Sequence, residues 1–274
     1  MNYDEYRERI LSVEKSAEFF TLGNSLLSQP IYGAHVGSYE GRQVIVQCGI
    51  HAREYITSIL GVELTKYAAL HPFGGGAYFI YNTNPDGVRL VLDGADFIRC
   101  DKQKEFLLSV NGGKDFSQYK ANANAVDLNT NFDAKWGGGA ENLRCPSPGN
   151  FIGYYPMSER EVNLLADFTE SIMPYATLSY HTKGEVIYYG FETQKGDSLA
   201  RDEAIAYRLS SVSGYTPILT AASTGGYKDW CIDKFDIPSF TIEVGRSDAL
   251  HPLGEESLSE MFEQNKNVLA ALIQ

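Results

Sequence analysis

The sequence has no long hydrophobic run. Its longest apolar stretches, residues 43–50 and 77–81, fall well short of the roughly 20 residues that a helix needs to cross a bilayer. The first ten residues carry five charges and no apolar leader segment. We therefore expect no membrane insertion, no secretory signal and a cytoplasmic location.

Cysteine is scarce and widely spaced. The four thiols belong to Cys48, Cys100, Cys145 and Cys231, and no two of them form a Cys-x-x-Cys pair. This spacing argues against a disulfide scaffold and against a structural zinc cluster. We expect all four thiols to be reduced.

Basic residues are too few to balance the acidic ones. The chain has 23 Lys and Arg against 35 Asp and Glu, for a net charge of −12. Nucleic acid is therefore not an expected partner, because phosphate binding depends on a concentrated basic surface. An anionic substrate would need a local group of Lys and Arg inside a pocket.

Apolar runs rich in β-branched and aromatic residues alternate with segments of helical periodicity, which predicts an α/β fold. No linker-like segment interrupts the chain, so residues 1–274 are predicted to form a single domain. Residues 30–36 and 43–48 are expected to pair as a hairpin around residues 40–42. Further strands are predicted at residues 77–81, 176–180, 185–191, 216–220 and 239–244, and helices at residues 54–70, 159–172, 198–212 and 256–273. The weakly periodic stretch 93–150 is long enough to build a functional surface.

Two histidines and a glutamate stand at predicted strand ends, where ligands bind in open α/β sheets. His51 and Glu54 follow the strand 43–48, and His181 ends the run 175–181. Two imidazoles and a carboxylate are a ligand set that a catalytic zinc accepts, with a fourth position left for water. The alternative is an ordinary helix-start pair plus a core histidine.

Glu243 interrupts the apolar run 240–244. A carboxylate in that position is either part of a structural ion pair or a catalytic group beside a cation. Next to zinc it would act as the general base that takes a proton from water. Asp127, which follows Ala125 and Val126, is a candidate acceptor that would fix the tautomer of a ligand histidine, with a turn aspartate as the alternative.

Six segments around these residues resemble the zinc metallocarboxypeptidases, the family of pancreatic carboxypeptidase A, and they occur in the family's order. They are GIHAREYIT at 49–57, NPDG at 84–87, VDLNTNF at 126–132, SYH at 179–181, GG at 225–226 with DW at 229–230, and FTIE at 240–243. The resemblance implies a single-domain, eight-stranded mixed sheet with helices on both faces and one catalytic zinc. It also implies that His51, Glu54 and His181 bind the metal, that Glu243 is the general base and that Asp127 orients the first ligand histidine.

The substrate-binding positions depart from the family pattern. Asn129-Thr130 stands where typical members have Asn-Arg, which removes a bidentate clamp for a substrate carboxylate. The mobile tyrosine of the family falls at Ala221, with Tyr227 as a candidate substitute. Lys120 is the candidate for the charge of the family's oxyanion-polarising arginine.

A narrower resemblance is to the bacterial γ-D-glutamyl-L-diamino acid peptidases, which cut peptidoglycan stem peptides. It is carried by KANANAVDLN at 120–129, HTK at 181–183 and GYKDW at 226–230. Lys228 corresponds to the floor of the pocket for the residue after the scissile bond, where a lysine favours a carboxylate-bearing side chain. A solvated helix lysine is the alternative. Arg53, in the segment 49–57, and Lys183, in the segment 181–183, are further candidate substrate-binding residues, together with Asn129 and Thr130.

The sequence therefore predicts a zinc-dependent peptidase that hydrolyses a γ-D-glutamyl-L-diamino acid bond, with a peptide or muropeptide as its substrate. Three alternatives stay open: a metallocarboxypeptidase preferring acidic C-terminal residues, a zinc acylase of small amino acids, and a non-catalytic peptide-binding module. The last is disfavoured because a pure binder does not need a general base. The oligomeric state is not specified by the sequence.

Overall fold

The computed structural model describes residues 1–220 and 223–274, and within them an eight-stranded mixed sheet is covered by nine α-helices. The strands are β1 (Glu18–Asn24), β2 (Pro30–Gly37), β3 (Gln43–Gln47), β4 (Gly76–Ile80), β5 (Ala176–His181), β6 (Val186–Tyr189), β7 (Thr216–Leu219) and β8 (Ser239–Glu243). The helices are α1 (Tyr3–Leu11), α2 (Ile56–Leu70), α3 (Pro85–Asp93), α4 (Asp101–Asn111), α5 (Arg160–Ile172), α6 (Gly196–Ser213), α7 (Tyr227–Phe235), α8 (Leu258–Asn265) and α9 (Val268–Ile273). The predicted α/β class and the eight-stranded mixed sheet are confirmed.

The strand order is β1-β2-β4-β3-β5-β8-β6-β7. Four central strands, β4, β3, β5 and β8, run parallel to one another, and antiparallel pairs flank them at β2–β4 and β8–β6. The predicted hairpin of residues 30–36 and 43–48 is wrong, because β4 lies between β2 and β3. After β3 the chain continues through α2 and returns as the parallel strand β4, so the turn at residues 40–42 joins strands that are not neighbours.

The central strands are buried on both faces, which explains their nearly continuous apolar sequences. Along β3, Val44 and Val46 belong to a core beneath α1, α2, α6, α8 and α9, while Ile45 belongs to a second core beneath α5 and α7. All four cysteines are unpaired thiols. In the described part of the chain, no helix has both the length and the apolar character that crossing a bilayer would need.

Some elements differ from the sequence-based expectations. The predicted C-terminal helix over 256–273 is divided into α8 and α9 at Lys266–Asn267. The structure adds β1, α1, α3, α4 and α7, and α4 lies within the long stretch 93–150. The last residues of β5 and β8 are paired, His181 with Glu243. This pairing brings two of the singled-out side chains to the same edge of the sheet.

Candidate active site

Two histidines and a glutamate, residue types that can bind a metal, converge at the carboxyl ends of β3 and β5. His51 immediately precedes a short 3-10 helix after β3, Glu54 is the last residue of that helix, and His181 is the last residue of β5. His51 Nδ1 lies 3.0 Å from Glu54 Oε1 and 3.2 Å from His181 Nδ1, which in turn lies 3.1 Å from Glu54 Oε2. All three side chains are buried, and they form a group that could bind a metal ion.

The donor set and its spacing fit zinc. Ligands about 2.0–2.1 Å from a tetrahedral zinc lie about 3.3 Å from one another, close to the separations of 3.0–3.2 Å between these atoms. The group also stabilises positive charge without a metal. Burial acts against protonation, but the carboxylates of Glu54 and Asp127 outweigh it and raise the pKa of His51 to about 9. A cation at this point would replace that proton.

Asp127 contacts the imidazole ring of His51. Its Oδ1 lies 3.2 Å from His51 Nε2, and its Oδ2 accepts from the Asn150 backbone N–H and lies 3.2 Å from Lys120 Nζ. Burial would raise the pKa of Asp127, but Lys120 and His51 hold it well below its usual range. An ionised Asp127 favours a proton on His51 Nε2, so Nδ1, the atom that faces Glu54 and His181, is the nitrogen that would lose its proton to bind a cation.

Glu243 lies beside this group at the end of β8. Its side chain is partly accessible, while its Oε2 is buried with no hydrogen-bond partner among the described residues. Burial and the nearby Glu54 carboxylate raise the pKa of Glu243 to about 8. A bound divalent cation would lower this pKa, because positive charge favours the carboxylate form.

A cavity of about 450 Å³ opens next to Glu243. Its described lining residues are Asn129, Tyr188, Leu219, Thr220, Ser223, Lys228, Thr241 and Glu243. Lys228 is buried, and its Nζ donates to Asp229 Oδ1 and to the Gly190 carbonyl, both at 2.6 Å. The side-chain oxygen of Asn129 accepts from the Tyr227 backbone N–H at 3.1 Å. The residues that line the cavity therefore include both an acidic and a basic side chain, Glu243 and Lys228.

Comparison with known proteins identifies the family. Residues 10–268 match the family described as zinc carboxypeptidase. The chain belongs to this family. The ordered set of motifs in the sequence agrees with this membership.

Two relatives with different names are similar in sequence to this chain. The chain is 34% identical to γ-D-glutamyl-L-diamino acid endopeptidase 1 of Lysinibacillus sphaericus, with 85% of this chain and 62% of the relative covered. It is 26% identical to carboxypeptidase B2 of Rattus norvegicus, with 81% of this chain and 56% of the relative covered. The chain thus spans about three fifths of the length of these two relatives.

Solved structures agree on the fold. Bovine thrombin-activatable fibrinolysis inhibitor, solved with a tick carboxypeptidase inhibitor, superposes with a TM-score of 0.77 at 20% identity, over 100% of this chain and 96% of that one. Murein-tripeptide amidase from Escherichia coli superposes with a TM-score of 0.62 at 20% identity, over 93% of this chain and 91% of that one. At this level of identity, the likeness establishes the zinc carboxypeptidase fold alone.

Several predicted substrate-binding residues lie away from the cavity. Thr130 is not among its described lining residues, and its hydroxyl donates to the Asp127 carbonyl. Lys183 Nζ donates to the Ser247 carbonyl on an exposed surface. Arg53 reaches Gln118 Oε1 at 3.5 Å with one guanidinium nitrogen. Ala221, where the family's mobile tyrosine falls, lies outside the described residues. Tyr227, the candidate substitute, is fully buried and bonded to Thr169.

The structure also places side chains near the site that sequence reasoning did not single out. Tyr188 lines the cavity because β6 pairs with β8 and sets it opposite Thr241. His251 Nδ1 lies 3.4 Å from the Thr182 hydroxyl, and burial together with Arg53 lowers the pKa of His251 to about 4. The positions of Tyr188 and His251 depend on contacts between residues that are distant in the sequence. The sequence itself shows only a tyrosine in a predicted strand and the last of the five histidines, and neither pattern indicates a place near the site.

Proposed function

We propose that this zinc carboxypeptidase hydrolyses the bond between γ-D-glutamate and an L-diamino acid such as meso-diaminopimelate in peptidoglycan-derived peptides. The supporting observation is Lys228, whose buried ammonium lies on the wall of the cavity that Glu243 borders. The name of the relative from Lysinibacillus sphaericus supports the same substrate class.

Each chemical role falls to a named side chain. His51, Glu54 and His181 would bind the zinc ion, and zinc, when bound, would supply a Lewis acid and make water more acidic. Glu243 would accept a proton from water and donate it to the departing amine. Lys120, held by Asp127 at 3.2 Å, would place a positive charge near the oxygen that becomes negative in the transition state.

Lys228 can recognise a distal carboxylate because its hydrogen bonds are not exhausted. An ammonium group has three N–H donors. Two of them are used by Gly190 and Asp229, which leaves one for a substrate. The second carboxylate of diaminopimelate would accept this bond, while the neutral cavity residues contact the aliphatic part of the side chain. Asn129 would add its amide N–H as a donor to the substrate, since its oxygen is already used by Tyr227.

Arg53 would bind the free α-carboxylate of the γ-linked glutamate on the other side of the scissile bond. Its Nε is buried without a partner among the described residues, and its single side-chain hydrogen bond is long at 3.5 Å. A guanidinium with open donors is suited to a planar carboxylate. Thr130 and Lys183 would contribute less, because both are bonded to backbone carbonyls.

The proposal is tested by product analysis. The zinc-loaded protein is incubated with L-Ala-γ-D-Glu-diaminopimelate, and we expect release of diaminopimelate by mass spectrometry. An α-linked peptide with C-terminal Glu tests the second candidate, a metallocarboxypeptidase preferring acidic C-terminal residues, which the position of Lys228 also favours. Faster hydrolysis of the α-linked peptide would replace the first proposal by the second. An N-acetylated amino acid, hydrolysed in preference to both, would instead identify an acylase.

A further inference from the structure

Two hydroxyl-bearing side chains line the cavity beside Glu243, one from each of two paired strands. Tyr188 on β6 lies directly opposite Thr241 on β8, and both residues line the cavity. They are partly exposed, whereas Tyr189 and Ile242, the residues that follow them, are buried. Because side chains alternate between the two faces of a sheet, Tyr188 and Thr241 lie on the same face as Glu243.

Both hydroxyls are available to a ligand. Neither forms a hydrogen bond with another described residue, and neither oxygen is sealed from solvent. Burial and the charge of Glu243 raise the pKa of Tyr188, so its hydroxyl keeps its proton. A neutral hydroxyl has two lone pairs, and each of these oxygens can therefore accept a hydrogen bond from a donor in the cavity.

The positive charge of Lys228 is already paired. Its Nζ lies 2.6 Å from Asp229 Oδ1, and Asp229 is completely buried, so a ligand does not reach that carboxylate. A ligand carboxylate that accepts the remaining N–H of Lys228 therefore adds a negative charge to a cavity that Glu243 also borders. An ammonium group on the same ligand offsets this added charge, provided that acceptors meet it.

We propose that Tyr188 and Thr241 accept hydrogen bonds from an ammonium group at the far end of the substrate side chain, so that the cavity selects a zwitterionic end over a plain carboxylate. The inference rests on the proposed function, because one distal carbon of diaminopimelate bears both an ammonium and a carboxylate. Lys228 donates to the carboxylate. The Cβ atoms of directly opposite residues lie about 5 Å apart, and the ammonium binds between the two hydroxyls. The charge of Glu243, two residues after Thr241, favours the ammonium on this side of the cavity.

Three γ-D-glutamyl peptides test the two halves of this recognition separately. Diaminopimelate has both distal groups, 2-aminopimelate lacks the distal ammonium, and lysine lacks the distal carboxylate. With the zinc-loaded wild type, we expect kcat/KM for the diaminopimelate peptide to exceed that for the 2-aminopimelate peptide at least about tenfold. Equal values would overturn the inference and leave the proposed function standing, whereas hydrolysis of none of the three peptides would refute both.

Two conservative variants locate the acceptors. Tyr188→Phe keeps the ring and removes only the hydroxyl, and Thr241→Val does the same on β8. In each variant, KM for the diaminopimelate and lysine peptides should rise at least about fivefold with kcat unchanged, while KM for the 2-aminopimelate peptide stays within about twofold. Tyr189→Phe is the matched control, because Tyr189 does not line the cavity and its hydroxyl donates to Glu203; its kinetics should equal those of the wild type. If both variants raise KM equally for all three peptides, or for none of them, the hydroxyls do not bind the ammonium and the assignment is wrong.

Discussion

Replacing Lys228 by methionine should remove the preference for a carboxylate-bearing diamino acid. Lys228 Nζ bonds Asp229 Oδ1 and the Gly190 carbonyl, which leaves one donor for the substrate. Methionine retains most of the aliphatic stem, so the wall of the cavity stays filled while the charge is lost. Asp229 keeps its bonds from Ser223 and from the Gly226 backbone.

The size of the effect follows from the one contact removed. A charge-assisted hydrogen bond contributes about 1.5–3 kcal/mol, which corresponds to a rise in KM of one to two orders of magnitude for a diaminopimelate peptide. A lysine analogue of the peptide lacks the distal carboxylate, so its KM should change little. Any general loss of packing around Asp229 would lower kcat/KM for both peptides, and the ratio between the two isolates the recognition of the carboxylate.

The assay measures kcat/KM for both peptides with the wild type, Lys228→Met and Lys228→Arg. The arginine variant keeps the charge and should retain at least part of the preference. If the wild type does not distinguish the two peptides, or if the methionine variant loses activity equally on both, Lys228 has a structural role through Asp229 and does not recognise substrate.

The remaining predictions concern the metal and the base. Glu243→Gln should keep zinc and the fold but lower kcat at least about 100-fold, because it removes proton transfer alone; full activity with one zinc per chain would place the base elsewhere. His51→Ala should lose most of its zinc in elemental analysis, and a variant with undiminished zinc content would argue against the ligand set. The pKa of His51 near 9 in the metal-free site means that a proton competes with zinc below that pH. The apparent zinc affinity, measured against a chelator of known pH dependence, should therefore rise by about tenfold per pH unit between pH 6 and 8 and level off above pH 9, and a flat profile would contradict the protonated state of His51.

The sequence could predict the composition of the candidate metal site because its markers are local. His51, Glu54 and His181 each stand where a strand pattern breaks, and the carboxyl ends of neighbouring parallel strands meet at one edge. The fold class followed from the alternation of apolar runs and helical segments, and the fold is confirmed. The order of the strands could not be derived in the same way. The turn at residues 40–42 has hairpin chemistry, yet β4 pairs with both strands that flank it.

The contacts that individual side chains make could not be predicted from the sequence. No pattern indicates that Lys228 is bonded to its own neighbour Asp229 and to Gly190, since the second contact depends on where the chain after β6 passes. Likewise, Lys183 lies only two residues after His181, but its side chain points away from the site and donates to the Ser247 carbonyl. Long basic side chains can point in many directions, and tertiary packing decides which one they take.

The pairing of His181 with Glu243 has a consequence for how this scaffold can change. Neighbouring strands are separated by about 4.8 Å, so the distance between these two side chains is set by the backbone hydrogen bonds of β5 and β8. The segments that form the cavity wall, by contrast, lie largely outside those strands. Insertions and exchanges in them can therefore alter which molecules are accepted without moving the imidazole relative to the carboxylate. A one-residue deletion inside β8 would have the opposite outcome, because it would turn Glu243 toward the other face of the sheet.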